Sequence, residues 1–181
     1  MQLPSDDATL ERCCRLVNIE LHAVALQRRR LRSSEPEDED FIMRWWTDLG
    51  FLIVALLRLR RAAGVVLGTT YASDELRSAL ATFDDATPSL RLMRNIAEHA
   101  DDYAVDSPKR HVKTIDRRQL EVGQWDGTTF HWLQETDGTP HQLNIDVALA
   151  AAEDLFRVMR GTLTRAAEPN EADPERPRTR P

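Results

Sequence analysis

The chain has 181 residues, of which 41% are hydrophobic and 30% charged, with a formal net charge of -6. This length suits one domain around one core, and the composition is too apolar for a fully disordered chain. The negative balance excludes a whole-molecule attraction for nucleic acid, so any such partner has to meet a local basic patch.

The start, Met1-Gln2-Leu3-Pro4-Ser5-Asp6-Asp7, lacks the basic and apolar regions of a secretory signal, which gives the expectation of a cytoplasmic protein. The longest apolar run, Leu49 to Leu57, is far short of the ~20 residues a membrane helix needs, and no span is expected.

Ser5-Asp6-Asp7 caps a first helix running to about Arg32, with Leu10, Cys14, Val17, Leu21, Val24 and Ala25 at helical spacing. Cys13 and Cys14 are the only cysteines, and adjacent residues do not close an ordinary disulfide loop. They read as reduced, buried small residues. With His22 they match no zinc spacing, so neither a metal nor a cofactor is expected.

A second helix is expected from the acidic run Glu37 to Asp40 through about Val66, with a wide apolar face of Phe41, Ile42, Trp45, Leu49, Leu52, Ile53, Leu56 and Leu57. Gly68-Thr69-Thr70 then reads as a turn. Ser73 caps a third helix over Asp74 to Asp85. Thr87-Pro88 supplies the N-cap and first residue of a fourth, expected to reach Val105, with Leu90, Met93, Ala97, Ala100 and Ala104 facing inward.

After Asp106-Ser107-Pro108 the pattern changes to strand period. Leu120, Val122 and Gln124 alternate before Asp126-Gly127, a two-residue hairpin signal, and Thr128 to Leu133 follows as the second strand. A further turn at Asp137-Gly138 admits a short third strand, Pro140 to Leu143. Trp125, Phe130 and Trp132 offer either stacking surfaces for bases or packing onto the bundle, and packing is favoured. Asn144 caps a last helix through about Arg165.

The expected architecture is therefore a mainly α, up-and-down bundle of about five helices over residues 1–165. A β-hairpin at about 119–143, extendable to three strands, is inserted before the last helix. Residues 166–181, Pro-rich and charged, read as a disordered tail.

Basic clusters occur at Arg28-Arg29-Arg30 with Arg32, at Arg58 with Arg60 and Arg61, and at Lys109-Arg110-His111 with Lys113, Arg117 and Arg118. The ordinary reading is solvated helix ends and loops. His111 and His131 with Asp116 form a weaker acid-base candidate, for which a surface role is favoured.

The fourth helix carries Arg94-Asn95-Ile96-Ala97-Glu98-His99. Arg94, polar Asn95 and His99 resemble the Arg-polar-x3-His motif of the HEPN superfamily of helical-bundle proteins. The family contains small all-α domains, often dimers, many of them metal-independent ribonucleases in toxin-antitoxin, defence and RNA-processing systems.

The resemblance implies that Arg94 binds phosphate, Asn95 supports it and His99 transfers protons. On that reading the basic residues Lys109, Arg110 and Lys113 are expected to guide RNA. It implies a homodimer, and an antitoxin or nucleotidyltransferase as a further partner. Some HEPN toxins carry a modifiable tyrosine two residues after the histidine; here Tyr103 lies four residues after it, a departure that leaves it a modification or support candidate. The inserted hairpin is a second departure.

The chemistry is reasonable on its own terms. Cleaving RNA through its 2'-hydroxyl needs a group that moves protons near neutral pH and a fixed positive charge beside the phosphorane. On an ideal helix at about 100° per residue, Arg94 and His99 point about 140° apart, so the motif predicts a composite site built by two copies. Asn95, His99 and Tyr103 share one face in that geometry.

The alternative reading is a non-catalytic helical bundle that binds a protein partner or nucleotide. In it, Arg94 and Glu98 form an i,i+4 surface pair, and the acidic Glu98, Asp101 and Asp102 beside His99 favour it.

Overall fold

The structure, a computed structural model, describes residues 3–40, 43–99, 115 and 123–168. Among them are five α-helices, α1 (Asp6–Arg32), α2 (Arg44–Val65), α3 (Asp74–Ala86), α4 (Leu90–Glu98) and α5 (Ile145–Ala167). Strands β1 (Gln124–Trp125), β2 (Thr129–Gln134) and β3 (Pro140–Asn144) precede α5. The molecule is thus mainly helical with a small antiparallel sheet inserted before the last helix, in strand order β1-β2-β3.

Three caps explain where helices begin. The side chains of Ser5, Ser73 and Asn144 accept hydrogen bonds from the backbone N–H groups of Ala8, Leu76 and Val147, satisfying donors that have no partner within the first turn. Helices α1 and α2 pack along each other and contribute Leu10, Val17, Val24, Leu52, Leu56 and Leu59, all fully buried. α5 closes the core with Ala148, Ala152, Leu155 and Met159. Its small residues allow close approach, and truncating a leucine such as Leu56 to alanine costs about 2–5 kcal/mol.

Cys13 and Cys14 are buried as expected, and burial pushes the Cys14 thiol up to about 11.

Helix α2 starts later than its acidic run suggests. Pro36–Asp38 forms a 3-10 turn, and the first α-helical residue is Arg44. The reason is tertiary. Arg44, buried, donates to the carbonyls of Arg30 and Ser33 at 2.9 Å each, and to the carboxylates of Asp38 and buried Asp48. Asp38 also accepts from the Glu35 N–H. Its carboxylate therefore orders the corner between α1 and α2 instead of opening a helix. Phe41 and Ile42 lie outside the described residues.

The first basic cluster is likewise structural: Arg28 and Arg32 hold Asp146 at the start of α5, and Arg30 pairs with Asp48.

The sheet docks on the beginning of α2 through aromatic rings. Phe130 lies 5.5 Å from Trp46 and Trp132 lies 5.1 Å from it, centroid to centroid, in edge-to-face arrangements. Phe130 and Trp132 are buried, so they pack the hairpin onto the bundle and are closed to bases.

Asp126 and Thr129 close the hairpin, putting Gly127-Thr128 at its tip, one residue on from the Asp-Gly pair read in the sequence. Gly127 has φ +95, a conformation that costs glycine little, while Asp126 accepts from the Thr128 and Thr129 N–H groups. Those bonds hold the Asp126 carboxyl well below the usual range. β2 and β3 shift register between His131 and Gln134, where Leu133 adopts φ 71 and turns a second consecutive side chain inward.

The last helix runs two residues past its expected end. Residues 169–181, the greater part of the expected tail, lie outside the described residues, as does the first part of the expected hairpin, residues 119–122. Among the described residues, no helix is long and apolar enough to cross a membrane.

Candidate functional site

Helix α4 differs from expectation at both ends. Thr87 does not cap it; its hydroxyl donates to the Phe83 carbonyl at 2.8 Å and ends α3, and Ser89 stands at the α4 N-cap. The helix ends at Glu98, with His99 as C-cap at φ -126 and ψ 31, and residues 100–105 of the expected helix lie outside the described residues. The sequence holds a reason for this end: Glu98 puts negative charge at the negative end of the helix dipole, and the last turn carries no basic residue.

His99 is therefore not a helical residue. Its φ departs by about 60° from the helical value, so the ideal-helix angle between Arg94 and His99 no longer applies. Tyr103, Lys109, Arg110 and Lys113 lie outside the described residues.

Of the motif, Arg94 and Asn95 occupy the last helical turns. Arg94 ion-pairs with Glu98, one turn along, and its guanidinium donates to Asn95 Oδ1 at 3.2 Å. The Arg94 side chain is 25% exposed, at the rim of a cleft and outside the core. His99 is half-buried, and its backbone N–H donates to the carbonyls of Asn95 and Ile96.

The neighbours of Arg94 come from the second half of α2. A cleft of about 140 Å³ is lined by Val54, Leu57, Arg58 and Arg61 from α2 and by Arg94 and Glu98 from α4. A second cleft, about 250 Å³, shares Leu57 and Arg61 with the first and adds Arg60, Asp84, Pro88 and Arg91 among its walls. Moving from Leu90 to Glu98 along α4 passes from Arg61 to Val54 along α2, so the two segments pack antiparallel.

The two clefts together present five arginines against two carboxylates, on a chain whose overall charge is negative. Asp84 is taken by a bidentate contact with Arg60, at 2.9 and 2.7 Å, and Glu98 by Arg94. Arg61 and Arg91 make no ion pair with a described residue. Arg58 is held only loosely, 3.9 Å from Glu20.

This cluster was obscured in sequence because Arg58, Arg60 and Arg61 read as a solvated helix end. The available signal was the pair of i,i+3 spacings, Arg58 with Arg61 and Arg91 with Arg94, each of which puts two guanidinium groups on neighbouring turns.

A second constellation had no sequence signal, because its members are far apart in the chain. Ser89 Oγ lies 2.9 Å from His141 Nδ1, and His141 Nε2 lies 3.1 Å from Glu135 Oε1. Ser89 is only 7% exposed and its hydroxyl is committed to the imidazole. The trio fastens the sheet to the start of α4, and the helix bearing Arg94 is thereby tied to β3.

The weaker acid-base candidate is not assembled within the described residues: His131 is exposed and meets Asp126 at 3.2 Å, while His111 and Asp116 lie outside them. Among the described residues there is no cluster of three or more histidine, cysteine or carboxylate side chains able to hold a metal.

No family model matches the chain, and no curated protein or solved structure matches it.

Proposed function

We propose that this protein is a HEPN-like, metal-independent endoribonuclease of the toxin or defence type, acting in the cytoplasm as a homodimer. The observation that carries the reading is that Arg94 of the Arg-polar-x3-His motif opens into a cleft walled by Arg58 and Arg61.

Arg94, Arg58 and Arg61 bind the scissile phosphate and offset the charge that accumulates on it. Asn95 orients Arg94, from whose guanidinium it already accepts a hydrogen bond. His99 moves the proton, taking it from the 2'-hydroxyl in one protomer or giving it to the leaving 5'-oxygen in the other. Attack of the 2'-oxygen forms its bond to phosphorus as the bond to the 5'-oxygen breaks, leaving a 2',3'-cyclic phosphate. Lys109, Arg110 and Lys113 guide the strand, and an antitoxin or nucleotidyltransferase that acts on Tyr103 is the corresponding partner.

The test is cleavage of RNA by the purified chain in EDTA. Products with 2',3'-cyclic ends are expected, and His99→Ala is expected to remove them; undiminished cleavage by that variant would refute the assignment.

A second reading, a non-catalytic bundle that binds a protein or nucleotide, is favoured by the Arg94–Glu98 pair, which neutralises the motif arginine. A monomer in solution that leaves RNA intact at all protein concentrations would establish it in place of the nuclease.

A further inference from the structure

Two arginine pairs face each other across the two clefts. Arg58 and Arg61 are three residues apart on α2, Arg91 and Arg94 three apart on α4, and Arg61 lines both clefts. Residues at i,i+3 on a helix have Cβ atoms about 5–6 Å apart, comparable with the separation of neighbouring phosphates along one nucleic-acid strand.

From this array we infer a second phosphate subsite in the larger cleft, formed by Arg61 and Arg91, so that one single strand lies along α4 with adjacent phosphates at Arg91 and Arg94. The inference rests on the nuclease reading for its substrate class and extends it to a position that the motif does not include.

Three observations support it. Arg61 and Arg91 make no ion pair with a described residue, whereas Arg60 and Arg94, on the same walls, are each neutralised by a carboxylate. Among the described residues, the charge of the larger cleft that no carboxylate offsets therefore sits on the two arginines assigned to the subsite. The cleft is also of a size to admit a phosphate group, at about 250 Å³. Finally, the cleft is backed by the buried side chains of Leu57, Phe83 and Leu90, which anchor the helices that carry Arg61 and Arg91.

The subsite reads phosphate and not the 2'-hydroxyl. Binding should consequently be nearly indifferent to sugar, with single-stranded DNA occupying the array as an uncleavable competitor.

The experiment measures fluorescence anisotropy of a labelled single-stranded oligonucleotide, in RNA and DNA form, over a salt series. The protein is the full chain carrying His99→Ala, so that cleavage does not complicate binding. Arg61→Ala and Arg91→Ala are each expected to weaken affinity several-fold and to lower the slope of log K against log salt by about 0.7, the loss of about one phosphate contact on a single strand. Arg157→Ala, which removes the same charge from an exposed site on α5, serves as the control. Arg91→Lys, which keeps the charge, is expected to retain the slope, and circular dichroism verifies that each variant is folded.

Equal effects of Arg91→Ala and Arg157→Ala would overturn the subsite, as would tight binding of pyrophosphate by the array with no binding of either oligonucleotide. The two readings fail separately. If the unmutated chain binds as described but cleaves no RNA, the subsite stands and the nuclease falls; if it cleaves RNA and neither cleavage nor binding depends on Arg91, which the scissile-phosphate site does not use, the subsite alone falls.

Discussion

Arg94 and Glu98 form an ion pair within α4, at the mouth of a cleft whose other charged walls are Arg58 and Arg61. On the nuclease reading proposed above, Glu98 occupies the position that a phosphate group would take on Arg94. Glu98→Gln releases the guanidinium. Since an exposed i,i+4 pair contributes only about 0.3–0.5 kcal/mol, stability should change by less than about 0.5 kcal/mol in urea titrations. Affinity for a single-stranded oligonucleotide should rise several-fold by anisotropy, and unchanged or weaker binding would remove Arg94 as a phosphate ligand.

The corner between α1 and α2 depends on Asp48, whose carboxylate is 4% exposed and meets Arg30 at 2.9 Å and Arg44 at 2.8 Å. Removing one partner leaves charge buried without compensation. Asp48→Ala is expected to cost about 3–5 kcal/mol, read as a lower urea midpoint. A loss below about 1 kcal/mol would mean that Arg44 holds the corner through Asp38 and the backbone carbonyls without Asp48.

Asp146 links α1 to the start of α5, and its hydrogen bond from Arg28 holds its carboxyl below the ordinary 3.8. A depressed carboxylate contributes stability that is fully present above the unfolded pKa and is lost as pH falls through the folded one. The native chain should therefore exceed Asp146→Asn in melting temperature at pH 7, and the gap should narrow below about pH 4. A gap independent of pH would show that the charge does not contribute.

The thiols give a direct test of the core. Cys13 and Cys14 are 4% and 5% exposed, burial raises both, and Cys14 also donates to the Met159 carbonyl. Because the thiolate is the reactive form, alkylation at pH 8 should be at least about 100-fold slower in the native chain than in denaturant. Rapid labelling of either cysteine without denaturant would contradict the packing of α1.

Periodicity and caps made most of the bundle legible. Leu10, Val17 and Val24 on α1 and Leu52, Ile53 and Leu56 on α2 recur at helical spacing and are buried. Ser5, Ser73 and Asn144 start helices because their caps need only bonds to residues three positions on.

What the sequence concealed depended on distant partners. Arg44 begins α2 because Arg30, Ser33, Asp38 and Asp48 converge on it, and Thr87 closes α3 through its local bond to Phe83 instead of opening α4. At the candidate site, Arg94 was visible as a motif residue, but its companions Arg58 and Arg61 come from a different helix. Ser89, His141 and Glu135 join segments about fifty residues apart, as one of their contacts records. No local pattern encodes such meetings.

At nine residues, α4 is shorter than the ~12–15 that isolated helices generally need in water. The spacing of Arg91 and Arg94 is therefore a property of the folded protein and not of the peptide that contains them. A synthetic fragment spanning this helix would carry every arginine of α4 and none of their arrangement, and oligonucleotide binding by the intact chain would disappear along its unfolding curve.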